Sequence, residues 1–203
     1  MLVKFFPTYT GGGLGSINYL LNERRMAAGT ARVVKGDENL TRAIIKGIDF
    51  KQKTCFGVLS FMEKHDFLTE EQKLKIIKDF ERALLGDYML DRVNVLWVEH
   101  SDKNGRLELN FLIPKIDLVT AFNSYLAKFD QRRIDLIKRI INDEYNLSSP
   151  DDPAREQTIS ASKKNIGHYQ NLEELNKKLH ELVKEGYIKN RDHMIELLMQ
   201  SGI

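Results

Sequence analysis

The chain has 203 residues, 42% of them hydrophobic, enough to bury one core and carry a small extension. Its formal net charge is only +2, and its single cysteine, Cys55, excludes an internal disulfide and a cysteine-based zinc site. No signal peptide or apolar run of membrane length is present, so a cytoplasmic protein without membrane insertion is expected. Charge is unevenly spread: Met1–Cys55 holds nine Lys and Arg against four acids, an excess that either draws in a phosphate backbone or merely solvates that surface.

In chain order, MLVKFF predicts a first strand. A glycine-rich loop at Gly11–Gly15 then runs into a helix over Ser16–Arg25, with Ser16 as the expected N-cap. At about 100° per residue, Ile17, Leu20, Leu21 and the stem of Arg24 form one apolar stripe, and Tyr19 falls nearly opposite it, outside the core. Glycine-loop N–H groups and the positive end of a helix attract anions, so a phosphate beside the phenol is one reading of this segment. An ordinary surface tyrosine is the other. A short strand follows at Arg32–Val34, then a helix at Glu38–Gly47 and a strand at Thr54–Phe61 that holds Cys55 as a buried, inert thiol. The helix Glu70–Leu85 opens with Thr69 and Gln72 at capping-box spacing and closes at Gly86.

Val95–Pro114, VLWVEHSDKNGRLELNFLIP, reads as two strands joined by a turn at Asn104-Gly105. Residues two apart share a strand face, so Glu108 and Asn110 point together while Leu107, Leu109 and Phe111 point the other way. With His100 ending the first strand, an imidazole, a carboxylate and an amide either converge on a divalent ion or stand as solvated edge residues. Mixed nitrogen and oxygen donors suit manganese or magnesium. Convergence depends on register. A two-residue turn at Asn104-Gly105 puts His100 opposite Leu109, on the wrong face. A three-residue loop, with a type I turn through Lys103-Asn104 and a left-handed Gly105 as a bulge, pairs Asp102 with Arg106 and sets His100 opposite Glu108.

Beyond the hairpin, Arg132–Tyr145 carries Ile134, Ile137, Ile140 and Ile141 at helical spacing. Its basic face either stays solvated or meets DNA. Ser148–Thr158, with two prolines, is the linker candidate. Leu172–Glu185 and Arg191–Gln200 then predict two helices separated by Gly186, a pair that suits packing, a clamp over a bound strand or a helix-turn-helix. His65, His168, His180 and His193 gain no metal role from their spacing, although His65 is the first rival to His100.

Three stretches together resemble a known family. The GGG-x-G-x-x-x-YLL pattern from Gly11, GVLSFMEK at Gly57–Lys64, and WVEHSDKNGRLELNFLIPK at Trp97–Lys115 are similar to the MobA-type plasmid mobilisation relaxases of the colicin-plasmid kind, whose metal triad is His-Glu-Asn. The resemblance covers Met1–Leu147. It implies an α/β (α+β) sandwich around a central, largely antiparallel five-stranded sheet, a fold that the alternation of strands and helices also favours. Joined to the linker and helices read above, it gives a relaxase domain at 1–147, a linker at 148–158 and a helical extension at 159–203, and family members usually carry more sequence after this point.

The implied activity is nicking of one plasmid strand at the origin of transfer, with the new 5′ end held as a phosphotyrosine. Tyr19 matches the nucleophile, and His100, Glu108 and Asn110 match the ligands for Mn2+ or Mg2+. Ser60 falls in a motif used near the DNA. Arg24, Arg25, Lys103 and Arg106 are the cations beside these motifs, assigned to the DNA backbone. Single-stranded or locally melted plasmid DNA, accessory mobilisation proteins and a coupling protein are the implied partners. A phenol has an unperturbed pKa of about 10, so such chemistry needs an activated tyrosine. Two other readings share these features: a DNA-binding accessory protein that has lost cleavage, and a replication-initiator endonuclease. In such initiators the tyrosine usually follows the metal motif, whereas Tyr19 precedes His100.

Overall fold

The computed structural model describes residues 1–7, 13–101, 103–123, 131–150, 152 and 166–200, in two compact units, Met1–Pro150 and Asp151–Ile203. The first unit runs β1 (Leu2–Phe5), α1 (Leu14–Leu20), α2 (Glu23–Ala27), β2 (Ala31–Lys35), α3 (Glu38–Gly47), β3 (Thr54–Lys64), α4 (Glu70–Leu85), β4 (Leu96–His100), β5 (Arg106–Pro114) and α5 (Gln131–Glu144). The five strands form one antiparallel sheet in the order β1-β3-β5-β4-β2. The expected sandwich is therefore the fold.

Both faces of this sheet are apolar in part, because alternate residues of each strand project to opposite sides. On one face Leu59, Phe61, Trp97, Leu109 and Phe111 pack against Ile76, Ile77 and Phe80 of α4 and Ile134 and Ile141 of α5. On the other, Leu96, Val98 and Leu112 meet Ile17 and Leu20 of α1 and Ile45 of α3. Each such side chain contributes roughly 1.5–3 kcal/mol by leaving water. Gly57 lies opposite Phe111 in the β3–β5 register. A Cβ there would stand 2.3 Å from Phe111 Cζ and 2.8 Å from the Lys4 carbonyl oxygen, so only a hydrogen fits beneath the ring.

Local chemistry explains the boundaries. Thr69 Oγ1 accepts from the Gln72 N–H while the Gln72 side chain accepts from the Thr69 N–H, and Gly86 caps the C-terminus of α4. α3 spans the expected residues, with Asp37 as N-cap. Three expectations need correction. The stripe on α5 is narrower than its isoleucines suggested, since Ile140 is 48% exposed. β3 continues past Phe61 to Lys64, which pairs with Arg106 beyond an irregularity after Ser60.

The third correction concerns the helix expected over Ser16–Arg25. α1 starts at Leu14 and Ser16 lies inside it; the N-cap is Gly13, left-handed at φ 74° and without a side-chain cap. A Cβ on Gly13 would come within 2.7 Å of Ile45 Cγ2, so a glycine lets the chain pass close to α3. α1 then ends at Leu20, and Asn22, whose side chain accepts from the Arg24 N–H at 3.0 Å, starts α2. The break takes Arg24 off the apolar stripe to an exposed position, while Ile17, Leu20 and Leu21 remain buried.

In the second unit, α6 (Ile166–Lys184) starts six residues before the expected Leu172, and α7 (Arg191–Gln200) matches its expected span. Gly186, at φ 74°, reverses the chain, and the Tyr187 and Ile188 N–H groups both donate to the Leu182 carbonyl. The Asn190 side chain caps α7 by accepting from the His193 N–H at 2.9 Å. Most of the expected linker Ser148–Thr158 lies outside the described residues. Among the described residues, no helix is long and apolar enough to cross a membrane.

Candidate active site

His100 and Glu108 are direct cross-strand partners on β4 and β5, and the next pair along the same face is Val98 with Asn110. All three polar side chains therefore project from the sheet face that carries α1 and α3. They are 1%, 7% and 3% exposed for His100, Glu108 and Asn110, which rules out solvated edge residues. His65, the rival histidine, is exposed in the turn after β3, with its N–H donating to the Gly105 carbonyl.

The register is the one that convergence requires, but the turn is built differently from the expectation. Asn104 and Gly105 both have positive φ, 57° and 75°, and the Arg106 N–H donates to the Lys103 carbonyl at 3.1 Å. That is a type I′ turn, in which Asn and Gly tolerate the left-handed conformation, rather than a type I turn through Lys103-Asn104. Between this turn and the His100–Glu108 pair, the first strand has two residues, Ser101 and Asp102, and the second only Leu107. One extra residue on the first side restores the face, as a bulge does. Asp102, expected to pair with Arg106, lies outside the described residues.

Each donor has a fixed neighbour. His100 Nε2 lies 2.7 Å from the Leu20 carbonyl oxygen, which only a protonated nitrogen can approach so closely, and in the neutral ring this leaves the lone pair on Nδ1. A ligating histidine held through its other nitrogen by a backbone carbonyl is a recurrent arrangement at metal sites. Asn110 Nδ2 donates to the Val98 carbonyl at 3.4 Å, turning Oδ1 the other way. Lys103 Nζ donates to Glu108 Oε1 at 2.8 Å. Among the described residues, no three His, Cys, Asp or Glu side chains form a metal cluster. A site here depends on Asn110 as third donor, and one imidazole nitrogen, one carboxylate and one amide oxygen fit Mn2+ or Mg2+.

Tyr19 is 47% exposed on the last turn of α1, and its ring centroid lies 6.2 Å from that of His100. The early start of α1 moves the positive end of the helix away from the phenol, so the helix N-terminus is not what would draw a phosphate there. Tyr19 is the fifth residue after Leu14, about 7.5 Å along the axis, so it sits near the negative end of the helix instead. Positive charge comes from Arg25, whose guanidinium lies over the Tyr19 ring at 4.6 Å while Nη1 donates to the Tyr19 carbonyl at 3.0 Å. Sequence reasoning assigned Arg25 to DNA and missed this contact. The signal was Asn22, a good N-cap that breaks the helix and folds Arg25 back. The Leu20 carbonyl left no signal, because it is backbone.

The remaining expected site residues spread around this centre. Ser60 is the β3 partner of Glu108 and is half-buried. Arg106 opens β5 on the same face as Glu108, and Arg24 is exposed on α2. Tyr9, Gly11 and Gly12 lie outside the described residues. Cys55 is buried, and that burial pushes its thiol up to about 12, so it is inert as expected.

The chain is 35% identical over 206 residues to DNA relaxase MbeA of Escherichia coli, an alignment covering all of this chain and 39% of that protein. It is 39% identical over 165 residues to cryptic plasmid protein C of Neisseria gonorrhoeae, covering 80% of this chain and 78% of that protein. It thus spans about two fifths of the first relative and most of the second. No family model matches the chain, and no solved structure does.

Proposed function

The chain belongs to the family of plasmid mobilisation relaxases, and we propose on that premise that it nicks one strand of plasmid DNA at the origin of transfer through Tyr19. The observation that carries this reading is the placement of the Tyr19 ring 6.2 Å from His100, itself the cross-strand partner of Glu108 on a face shared with Asn110. The Tyr19 phenol oxygen forms a bond to the scissile phosphorus, the bond from phosphorus to the 3′ oxygen breaks, and the 3′ oxygen takes a proton. A 5′-phosphotyrosyl protein and a free 3′ hydroxyl result.

His100, Glu108 and Asn110 would hold Mn2+ or Mg2+, which when bound withdraws charge from the non-bridging phosphate oxygens and stabilises the transition state. His100 also anchors the end of α1 through the Leu20 carbonyl, so the ring of Tyr19 is presented from a fixed turn. The Arg25 guanidinium lies over the same ring. Phenolate leaves more readily than an alkoxide, so the adduct keeps an activated phosphoryl group and religation needs no nucleotide. Accessory mobilisation proteins and a coupling protein are the partners this reading expects.

The test is incubation with a labelled single-stranded origin oligonucleotide and manganese, followed by a denaturing gel. A covalent adduct that disappears in Tyr19→Phe and in EDTA is expected. An adduct of undiminished yield in Tyr19→Phe overturns the assignment of the nucleophile.

A further inference from the structure

The site face of the sheet does not stop at the metal-ligand candidates. In one row across the strands, His100 pairs with Glu108, Glu108 with Ser60, and Ser60 with Leu2; in the next, Val98 pairs with Asn110, Asn110 with Val58, and Val58 with Lys4. At about 4.8 Å per strand, Leu2 and Lys4 stand roughly 10 Å from Glu108 and Asn110. α1 and α3 cover the β4 side of this face, but on the β1 side Leu2 is 46% and Met62 58% exposed, and Lys4 and Lys64 are exposed as well. Arg106 lies against Met62, with Nη1 at 3.6 Å from the sulfur.

This strip alternates apolar and cationic side chains and, short of Glu108 itself, has no acid among those positions. Its far end also returns to the nucleophile. Lys4 Nζ lies 5.4 Å from the Phe6 ring, Phe6 stacks on Phe56 at 4.7 Å, and Phe56 lies 6.4 Å from Tyr19. Leucine and methionine exposed on this sheet face meet the bases of an unpaired strand directly, whereas against a duplex they gain contact only by wedging open a stacked step at a cost of a few kcal/mol, so a surface of apolar and cationic groups suits an unpaired strand.

We propose that Leu2, Lys4, Ser60, Met62 and Arg106 form a track for single-stranded DNA that leads away from the scissile phosphate across β3 to the β1 edge. Leu2 and Met62 carry bases, while Lys4 and Arg106 carry phosphates and Ser60 lies between them and the metal ligands. The track rests on the proposed nicking function, since it extends that site to the DNA flanking it. β1 is firm enough for this, because the Asn142 amide on α5 donates to the Met1 carbonyl.

The experiment is fluorescence anisotropy with the Tyr19→Phe protein, so that no covalent product forms, using the origin oligonucleotide and two versions truncated at the scissile phosphate from either side. Lys4→Gln is expected to weaken binding and to reduce the salt slope by about 0.7, one single-strand phosphate contact. Met62→Ala is expected to weaken it about fivefold at unchanged slope, the low end for a lost base contact. One of the two truncations removes both effects, and Lys78→Gln, on α4 over the opposite face, shows neither. Equal affinities of parent, Lys4→Gln and Met62→Ala for every oligonucleotide, as a protein-docking strip would give, overturn the track. Adduct formation is scored separately, so absence of adduct alongside strip-dependent binding overturns the nicking function and leaves the DNA track standing.

Discussion

Lys103 competes for the carboxylate that the proposed metal needs. Its ammonium donates to Glu108 Oε1 at 2.8 Å, with the lysine side chain 55% exposed and the glutamate side chain 10%. A pair with one partner this exposed is worth about 0.2–1 kcal/mol. A cation entering between His100 and Glu108 has to displace that contact, and the displaced ammonium still repels it. Lys103→Met removes both penalties, so Mn2+ affinity is expected to rise about 1.4- to 5-fold, the same free energy expressed as a ratio of dissociation constants. Without metal the variant leaves a buried carboxylate lacking that cation, so its thermal shift on adding Mn2+ should also exceed that of the parent. Calorimetric titration of Mn2+ at fixed pH and ionic strength measures the first quantity, with His100→Ala as the control for site identity. Equal or weaker Mn2+ binding by Lys103→Met would refute the competition.

Asn110→Ala should bind the origin oligonucleotide with nearly parental affinity while losing adduct yield at limiting manganese, because it removes a donor and leaves the cationic surface; normal cleavage there would require another third ligand. Gly57→Ala places a methyl 2.3 Å from a Phe111 ring already packed by Phe5, Phe80 and Trp97, and should cost about 3 kcal/mol in urea unfolding. A loss below about 1 kcal/mol would show that the ring can move. Cys55, with its thiol pushed up to about 12 by burial, is thiolate in only roughly one molecule in ten thousand at pH 8 and should resist Ellman's reagent until the protein unfolds. Rapid labelling of the folded protein would contradict that.

Elements whose ends are fixed by their own residues were legible in the sequence. α4 carries its capping box and terminal glycine, and α3 carries Asp37. The hairpin register was legible for another reason: three polar donors among alternating apolar residues are consistent on one face in only one register. The route to it was not. Asn104 can enter the left-handed region, so the tighter turn forms and the extra residue falls on the β4 side of it. The start of α1 was misplaced because Ser16 has good cap chemistry, whereas the real constraint on Gly13 is Ile45, distant in sequence. Tertiary contacts of that sort write nothing into a local pattern. The same holds for Arg25, which reaches the Tyr19 ring only because the chain turns at Asn22.

The bond from His100 to the Leu20 carbonyl makes one side chain answer to two demands. As a donor to a cation, the position would accept a carboxylate as readily as an imidazole. As the bolt on the last turn of α1, it would not, because a carboxylate brings a second bare oxygen against the carbonyl and has no hydrogen to offer. A ring with a hydrogen on one nitrogen and a lone pair on the other holds the turn and faces the ion at once, which no carboxylate can do. An aspartate or glutamate introduced at this position would still supply an oxygen donor, yet the turn carrying Tyr19 would come unfastened from the sheet. Restoring the ligand would not restore the alignment between ligand and phenol.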